Sequence, residues 1–430
     1  MKSRRLLFLS VVLIALGLMA VLFVTACGEE ETTTTAAPAT TAGPATTAAD
    51  VEWGDDIVLG AINSITGSNA LTGEEEKWTQ EKAVADFNAA GGITFSDGTH
   101  HKLVLRFADD KSDPTSGAEA AEKLIKVDGL KIILGSNITP INQAAAQVCE
   151  KYGVYYNVVS SWTDDFFMGG MGLKWTTTMF ESAADAGLVP VGAVQRMPEA
   201  DQPKNWAILV ENTPDGAALG EGVKAIAEAA GFKVIATETY IEGNKDFSSI
   251  ILKFKQAGVD ATAGIMAPTD GITYIKQCKE NGWAPTMIFA YKGFWPVSFM
   301  KALGADSDML CWDGFWSEMF PFPYCAELGQ AFKDEHDGND SVSIGLYYAG
   351  MQVLAEAMNR AGSADPGAVR DEVFGGTFEG TTMGNVTYNE KGICDIPFIG
   401  GQWVDGKRVI VFPEELATGV IQPIVPWDKR

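Results

Sequence analysis

The chain has 430 residues, and its 56 acidic and 32 basic side chains give a formal net charge of −24 at pH 7. A chain this negative is a poor partner for nucleic acid. Three histidines and the absence of a CxxC motif leave little material for a zinc site or a histidine-based catalytic triad. We therefore expect neither a metal nor another cofactor, and no catalytic residues.

The chain begins with a secretion signal. Three basic residues precede an apolar run over residues 6–24, and the small residue Ala26 stands directly before Cys27. This pattern predicts a lipoprotein signal peptide with its lipobox over residues 1–27, and acyl chains attached to Cys27. An uncleaved transmembrane helix also fits the apolar length, but the small residue before the cysteine favours the lipoprotein.

Residues 28–53 are rich in Thr, Ala and Pro and too poor in large apolar residues to form a core. They predict a flexible tether with a root-mean-square span of about 25–30 Å. No second long apolar run follows, so the remainder is expected to be a water-soluble body. Its length exceeds the roughly 250–300 residues of a single hydrophobic core, which favours two lobes.

The cysteines leave alternatives open. Five remain besides Cys27, which is an odd number in a compartment that permits disulfides. Cys311 and Cys325 are the closest pair in sequence and could close a short loop. Sequence alone does not supply the geometry that such a bridge requires.

Short β-rich runs alternate with segments of helical period along the body. The first series predicts strands at 57–62, 103–107, 131–134 and 154–159, and helices at 74–88, 114–127 and 140–152. The second predicts strands at 206–210, 233–238, 261–266 and 286–290, and helices at 215–230, 247–257, 270–281 and 296–303. This alternation predicts an α/β fold with two doubly wound parallel sheets, and a ligand at the carboxyl ends of their strands.

Several motifs carry a family resemblance by their order and spacing. They include Asn69-Ala70-Leu71-Thr72-Gly73, Gly91-Gly92-Ile93, Lys245-Asp246-Phe247-Ser248 and Asn389-Glu390-Lys391-Gly392. The chain resembles the type I periplasmic solute-binding proteins of the branched-chain amino-acid ABC transporter class. The resemblance implies no catalysis. It implies a monomer that captures a small molecule outside the cell and presents it to an ABC permease in the membrane.

The same resemblance implies two lobes joined by a three-strand hinge, with the ligand between them. Mapped on this chain, the first lobe comprises residues 55–178 and 315–385. The second lobe comprises residues 179–314 and 386–430. Closure is then expected to be a hinge motion.

Family contact positions carry over to two loops that follow predicted strands. In these loops Asn137, Thr139, Ser160 and Ser161 correspond to segments that hold the ligand carboxylate, and Leu71 in the first motif is a further expected contact. Helix starts behind the loops add partial positive charge. The alternative for the hydroxyl residues is that they merely cap helices.

The second lobe departs from the amino-acid-binding pattern. Lys292 stands where amino-acid binders usually place an acid for the ligand ammonium, and Ala267 stands where they place a bulky side chain. A lysine there repels an ammonium and favours a carboxylate ligand. Asp215 and Asp270 are expected to accept hydrogen bonds from the ligand or to pair with Lys292, with helix capping as an equal alternative.

Aromatic residues near the expected cleft favour a planar or apolar ligand body. Trp162 and Trp295 are predicted contacts, whereas Trp312, Phe315 and Trp316 are better suited to the core or the hinge. The sequence thus favours a carboxylate or aromatic acid over an ordinary amino acid. A branched-chain amino-acid binder and a sensor of the same fold stay open as alternatives, and a secreted hydrolase is disfavoured because GxSxG and HExxH are missing.

Overall fold

The computed structural model describes residues 52–164, 172–396 and 398–430, all within one compact unit. The predicted signal peptide and nearly all of the predicted tether lie outside these ranges. None of the described helices combines the length and the apolar character needed to cross a bilayer.

The chain visits two lobes in turn, and helices alternate with strands as predicted. The first segment contains β1 (Ile57–Asn63), α1 (Ala70–Ala89), β2 (Ile93–Thr94), β3 (His100–His101), β4 (Leu103–Asp109), α2 (Pro114–Lys126), β5 (Ile132–Leu134), α3 (Thr139–Tyr152), β6 (Tyr155–Val159) and β7 (Thr176–Phe180). The second segment contains α4 (Leu188–Gln195), β8 (Asn205–Glu211), α5 (Pro214–Ala229), β9 (Lys233–Tyr240), α6 (Ser248–Ala257), β10 (Ala261–Met266), α7 (Pro268–Glu280), β11 (Met287–Lys292), α8 (Val297–Leu303) and β12 (Cys311–Gly314).

The chain then returns to the first lobe and finishes in the second. The returning segment contains α9 (Cys325–Glu335), α10 (Ile344–Ala361), α11 (Pro366–Val373), β13 (Thr377–Thr381), β14 (Gly384–Thr387) and β15 (Ile393–Asp395). The last segment contains β16 (Ile399–Val404) and β17 (Lys407–Phe412).

Each lobe is built on one sheet. The first sheet has the order β15-β7-β6-β5-β1-β4, and all its pairs are parallel. The second has the order β17-β16-β12-β11-β10-β8-β9. Its pairs are parallel from β9 to β12, whereas β16 and β17 add to the edge as an antiparallel hairpin that sequence did not predict. Asp405 and Gly406 form the hairpin turn, both with positive φ, as a tight turn of this kind requires.

The chain crosses between the lobes three times: after β7, after β12 and between β15 and β16. The third crossing lies later than predicted. Residues Ile393–Asp395 pair in parallel with Thr178–Phe180 of β7. The chain therefore stays in the first lobe until Asp395, and the boundary at 386 is too early because this added edge strand has only three residues and little sequence pattern.

Proline stands at the start of several helices, and glycine closes several others. Asp113, Thr213 and Asp365 each precede a proline and accept a hydrogen bond from a backbone N–H of the first helical turn of α2, α5 and α11. At the other end, Gly153 and Gly258 adopt the left-handed conformation that closes α3 and α6. The caps of α2 and α5 place the starts of these helices shortly after β4 and β8, at the carboxyl edge of each sheet.

All five cysteines of the described residues are buried free thiols. The bridge between Cys311 and Cys325 that sequence left open does not form. The Cys325 Sγ instead accepts a hydrogen bond from Trp316 Nε1 at 3.2 Å and donates one to the Thr382 carbonyl at 3.2 Å. Burial raises the thiol pKa of Cys311 to about 12 and that of Cys394 to about 11.

Candidate functional site

A cavity lies between the lobes where the carboxyl ends of both sheets meet. Among the predicted site residues it is lined by Asn137, Thr139, Ser160, Trp162, Asp215, Lys292 and Trp295. Because ligands of doubly wound sheets bind at this edge, we take it as the candidate ligand cavity. Its volume is only about 50 Å³, so its two walls nearly touch.

The remaining predicted contacts lie outside the cavity lining. Leu71 is exposed on α1, and Ala267 is buried at the start of α7. Ser161 is fully buried, and its Oγ accepts a hydrogen bond from Asn142 Nδ2 at 2.7 Å. Asp270 neither lines the cavity nor caps α7, since its Oδ2 accepts from the backbone N–H of Gly243 at 2.9 Å.

The wall from the first lobe presents amide and hydroxyl groups. The Asn137 amide donates to Thr72 Oγ1 at 2.8 Å, which fixes its orientation. Thr139 begins α3, and its Oγ1 accepts from the backbone N–H of Trp162 at 3.4 Å. Ser160 lies just after β6 with a φ of 70°, a strained conformation that is often found at binding sites. Together with the start of α3, this wall suits an anionic or hydrogen-bond-accepting group.

The wall from the second lobe contains the Lys292 ammonium, which is already paired. Its Nζ lies 3.3 and 3.4 Å from the two oxygens of Glu211, and the side chains are 16% and 3% exposed. Burial lowers the pKa of Lys292, but the nearby carboxylates of Glu211, Glu242 and Asp215 outweigh it and raise the pKa. The predicted partners were Asp215 and Asp270, so Glu211 is a partner that sequence reasoning missed.

Two carboxyl groups also face this cavity, and burial favours their neutral form. Thr213 caps α5, so Asp215 is free of the capping role and lies in the lining, where burial raises its pKa to about 7 against the effect of Lys292. Asp313 is fully buried, and its Oδ1 accepts from Trp295 Nε1 and from the Lys292 backbone N–H, while Oδ2 has no partner. Burial raises the Asp313 pKa to about 8. At neutral pH this wall therefore carries less negative charge than its composition indicates.

Aromatic rings close the cavity. Trp162 packs edge-on against Phe180 and tilted against Phe398, at centroid distances of 5.3 and 6.0 Å. Phe315 contacts Phe180, Phe398 and Trp295 at 4.9, 4.5 and 4.9 Å. Phe315 thus lines the cavity from a crossing, in addition to the packing role predicted for it. These rings supply most of the apolar lining of the cavity.

The lining of the cavity consists of amide, hydroxyl, carboxyl, ammonium, aliphatic and aromatic side chains. Among the described residues that line it there is neither histidine nor cysteine. No three His, Cys, Asp or Glu side chains within residues 52–164, 172–396 and 398–430 are placed to hold a metal ion.

The chain is similar to known proteins in sequence and in structure. A family model described as periplasmic binding protein matches residues 56–407. The Leu/Ile/Val-binding protein homolog 1 of Brucella abortus (strain 2308) is 29% identical over 335 residues, which cover 76% of this chain and 85% of that protein.

Solved structures share the fold. The branched-chain amino acid transporter substrate binding protein LivJ from Streptococcus pneumoniae, in complex with isoleucine, matches with a TM-score of 0.72 at 21% identity, covering 82% of this chain and 97% of that chain. A solute binding protein of an ABC transporter from Rhodopseudomonas palustris BisB5, in complex with 3,4-dihydroxybenzoic acid, matches with a TM-score of 0.70 at 18% identity, covering 87% and 99%. The predicted two-lobed type I fold is confirmed. Because the family model spans nearly all of the described residues, the chain belongs to the periplasmic binding protein family.

Proposed function

We propose that this protein captures a small organic acid, most specifically an aromatic carboxylate, between its two lobes and delivers it to an ABC permease. The observation that carries the proposal is the make-up of the cavity wall. Aromatic rings from both lobes and from the crossings line the same cavity as Lys292, and Thr139 and Ser160 line it from the first lobe. A ring fits the aromatic surfaces, and a carboxylate fits the ammonium or the start of α3.

The small volume of the cavity indicates how a ligand enters. About 50 Å³ is far below the roughly 300–1,000 Å³ of typical ligand pockets. Entry of an aromatic acid therefore requires the walls to separate, with the three crossings as the hinge. Phe315 and Phe398 lie at two of these crossings, so ring contacts with the ligand act directly on the hinge.

A branched-chain amino acid is the second candidate, and one observation favours it. Glu211 offsets the charge of Lys292, which reduces the repulsion of a ligand ammonium, and Asp215 offers a carboxyl group in the same wall. The Brucella relative carries a Leu/Ile/Val-binding name. An aromatic carboxylate still fits better, because the buried acids of this wall favour their neutral form.

A thermal-shift panel separates the two candidates. The purified protein is unfolded and refolded to remove bound solute, then heated with benzoate, 3,4-dihydroxybenzoate, leucine, valine, an amide and a sugar. Ligand at a hundred times its Kd adds about 2.7 kcal/mol to the free energy of unfolding. Stabilisation by the aromatic acids alone supports the proposal, and selective stabilisation by leucine or valine replaces it with the second candidate.

We propose further that the mature protein is a monomer tethered outside the cytoplasm through lipid on Cys27. The support is the lipobox and the Thr/Ala/Pro-rich segment behind it. Sensing by a receptor partner would use the same ligand cavity. Co-purification of a permease, or of a receptor kinase, with the cross-linked protein distinguishes delivery from sensing.

Replacing Cys27 by serine is expected to abolish lipidation, because serine lacks the sulfur that accepts the acyl chain. The variant should move from the membrane fraction to the supernatant after cell lysis, which immunoblotting of the two fractions measures. Replacing Ser3 by cysteine in the same variant is the matched control, since it restores a thiol at the wrong position. A C27S variant that stays with membranes contradicts the lipobox assignment.

A further inference from the structure

The crossings form a partition with a cavity on each face. Adjacent residues of these segments point to opposite sides, as in any extended chain. Asp313 and Phe315 line the ligand cavity, whereas Trp312 and Trp316 line a second cavity behind it. The second cavity has a volume of about 520 Å³, within the usual range of small-molecule sites.

Both lobes contribute to the second cavity. The second lobe supplies Met300 of α8 and the β16–β17 hairpin, and the first lobe supplies the connection between α9 and α10 around Asp340. Its apolar floor consists largely of Trp312, Trp316 and Trp403. These rings are almost fully buried, so the accessible apolar surface of the cavity comes mainly from Val297, Met300 and Met319.

Arg408 is the central polar group of this cavity, and its side chain is only 7% exposed. Its Nε donates to Asp340 Oδ1 at 3.0 Å, its Nη2 donates to the Trp295 carbonyl, and its guanidinium stacks over Trp403 and Trp312. Its Nη1 is buried without an acceptor, and so is Trp312 Nε1. Both atoms can only donate hydrogen bonds, so this wall lacks a hydrogen-bond acceptor for them.

The charged side chains that line this cavity leave an excess of positive charge. Lys333 pairs with Glu318, Arg408 pairs with Asp340, and Lys301 donates to Asn339. Lys407 stands exposed at the rim with no ion-pair partner among the described residues. Asp337 is the opposing carboxylate in the lining. Counted over all of these side chains, the lining carries one more positive than negative charge, although the protein as a whole is strongly negative.

We propose that this second cavity is a binding site for a small organic anion with an apolar body, separate from the ligand cavity. The apolar body lies against Val297, Met300 and Met319, above the buried tryptophan rings, and the anionic group is held by Lys407 and Arg408. The proposal does not depend on which solute the ligand cavity takes. Because both lobes line the site, its shape also depends on their separation.

The probe for the test is 1-anilinonaphthalene-8-sulfonate, an aromatic sulfonate whose fluorescence rises in apolar surroundings. Fluorescence titration of the purified full-length protein is expected to show saturable binding at one site. Lys407→Glu, at an exposed hairpin position, should weaken that binding by about threefold to tenfold. Ser317→Trp, which fills the cavity from its rim, should abolish it. Lys276→Glu, the same charge change on the exposed face of α7, is the matched control and should leave it unchanged.

N-phenyl-1-naphthylamine, the neutral analogue without the sulfonate, tests the class of ligand. It should bind more weakly to the native protein, and Lys407→Glu should not alter its Kd. Circular dichroism and thermal unfolding verify that each variant is folded. Weaker sulfonate binding in Lys407→Glu, together with loss of binding in Ser317→Trp, supports the site. An unchanged Kd in both variants, or loss in Ser317→Trp alone, overturns it, since the first places the probe elsewhere and the second removes the role of the charge.

Discussion

Replacing Lys292 by glutamine is expected to weaken binding of benzoate by about 10- to 150-fold at pH 7, because a charge-assisted hydrogen bond of roughly 1.5–3 kcal/mol is lost. Stability should fall as well. Glu211 is 3% exposed and would remain buried without its cation, which costs on the order of 3–5 kcal/mol. Isothermal titration gives the affinity, and urea unfolding of the ligand-free protein gives the stability.

Glu211→Gln is the control, in which the affinity for benzoate is expected to change in the opposite direction. It leaves Lys292 in place and removes the carboxylate that offsets it, so the affinity for benzoate should rise. The double variant Lys292→Gln/Glu211→Gln should recover most of the stability but not the affinity, which separates binding from folding. Unchanged benzoate affinity in Lys292→Gln would exclude Lys292 as an anion-binding group.

Replacing Asp313 by asparagine is expected to stabilise the ligand-free protein at alkaline pH. Burial raises the Asp313 pKa to about 8 in the folded protein, against an ordinary value of 3.8. Folding then retains a proton that unfolding releases, so the native protein loses stability as pH rises from about 4 through about 8. This loss of stability is complete above the pKa that Asp313 has in the folded protein. At pH 9 the variant should be more stable by on the order of 3–5 kcal/mol.

Asparagine suits this position because it mimics the neutral acid. Its oxygen can accept from Trp295 Nε1 and from the Lys292 backbone N–H, as Asp313 Oδ1 does. Thermal unfolding from pH 5 to pH 9 measures the effect, and Asp55→Asn at an exposed position is the control. Burial raises the pKa of neighbouring Glu181 to about 9, so adding Glu181→Gln should flatten the profile further. Parallel profiles for the native protein and Asp313→Asn would show that Asp313 is ionised throughout.

Sequence reasoning predicted most elements as far as α8, because most parallel strands there are short apolar runs followed by a segment of helical period. It missed β2, β3, β7 and α4. It predicted no elements beyond α8. The 18 residues of α10 are buried on nearly every side, and β16 contains two consecutive glycines. A side chain at Gly401 would meet the Trp312 ring at 1.9 Å. The glycine that weakens the strand signal is therefore required by packing.

The candidate site was predictable where a residue lies within about five positions after a predicted strand, as Thr139, Ser160, Asp215 and Lys292 do. The Glu211–Lys292 pair was not. Glu211 ends β8 and Lys292 ends β11, and β10 lies between these strands in the sheet. Such a pair depends on side chains that reach over the strand between them. The spacing of residues in the sequence does not indicate a contact of this kind. Asp313 and Phe398 were missed because their strands and crossings were not located.

The burial of all five described thiols has a practical consequence for measuring lobe closure. Thiol reagents attack the thiolate, and burial both shields these sulfurs and holds them protonated. A cysteine introduced at exposed Met319, on the rim between the lobes, should therefore take up a maleimide dye ahead of the native residues. The labelled protein would report solute arrival as a change in fluorescence, without removal of any native cysteine.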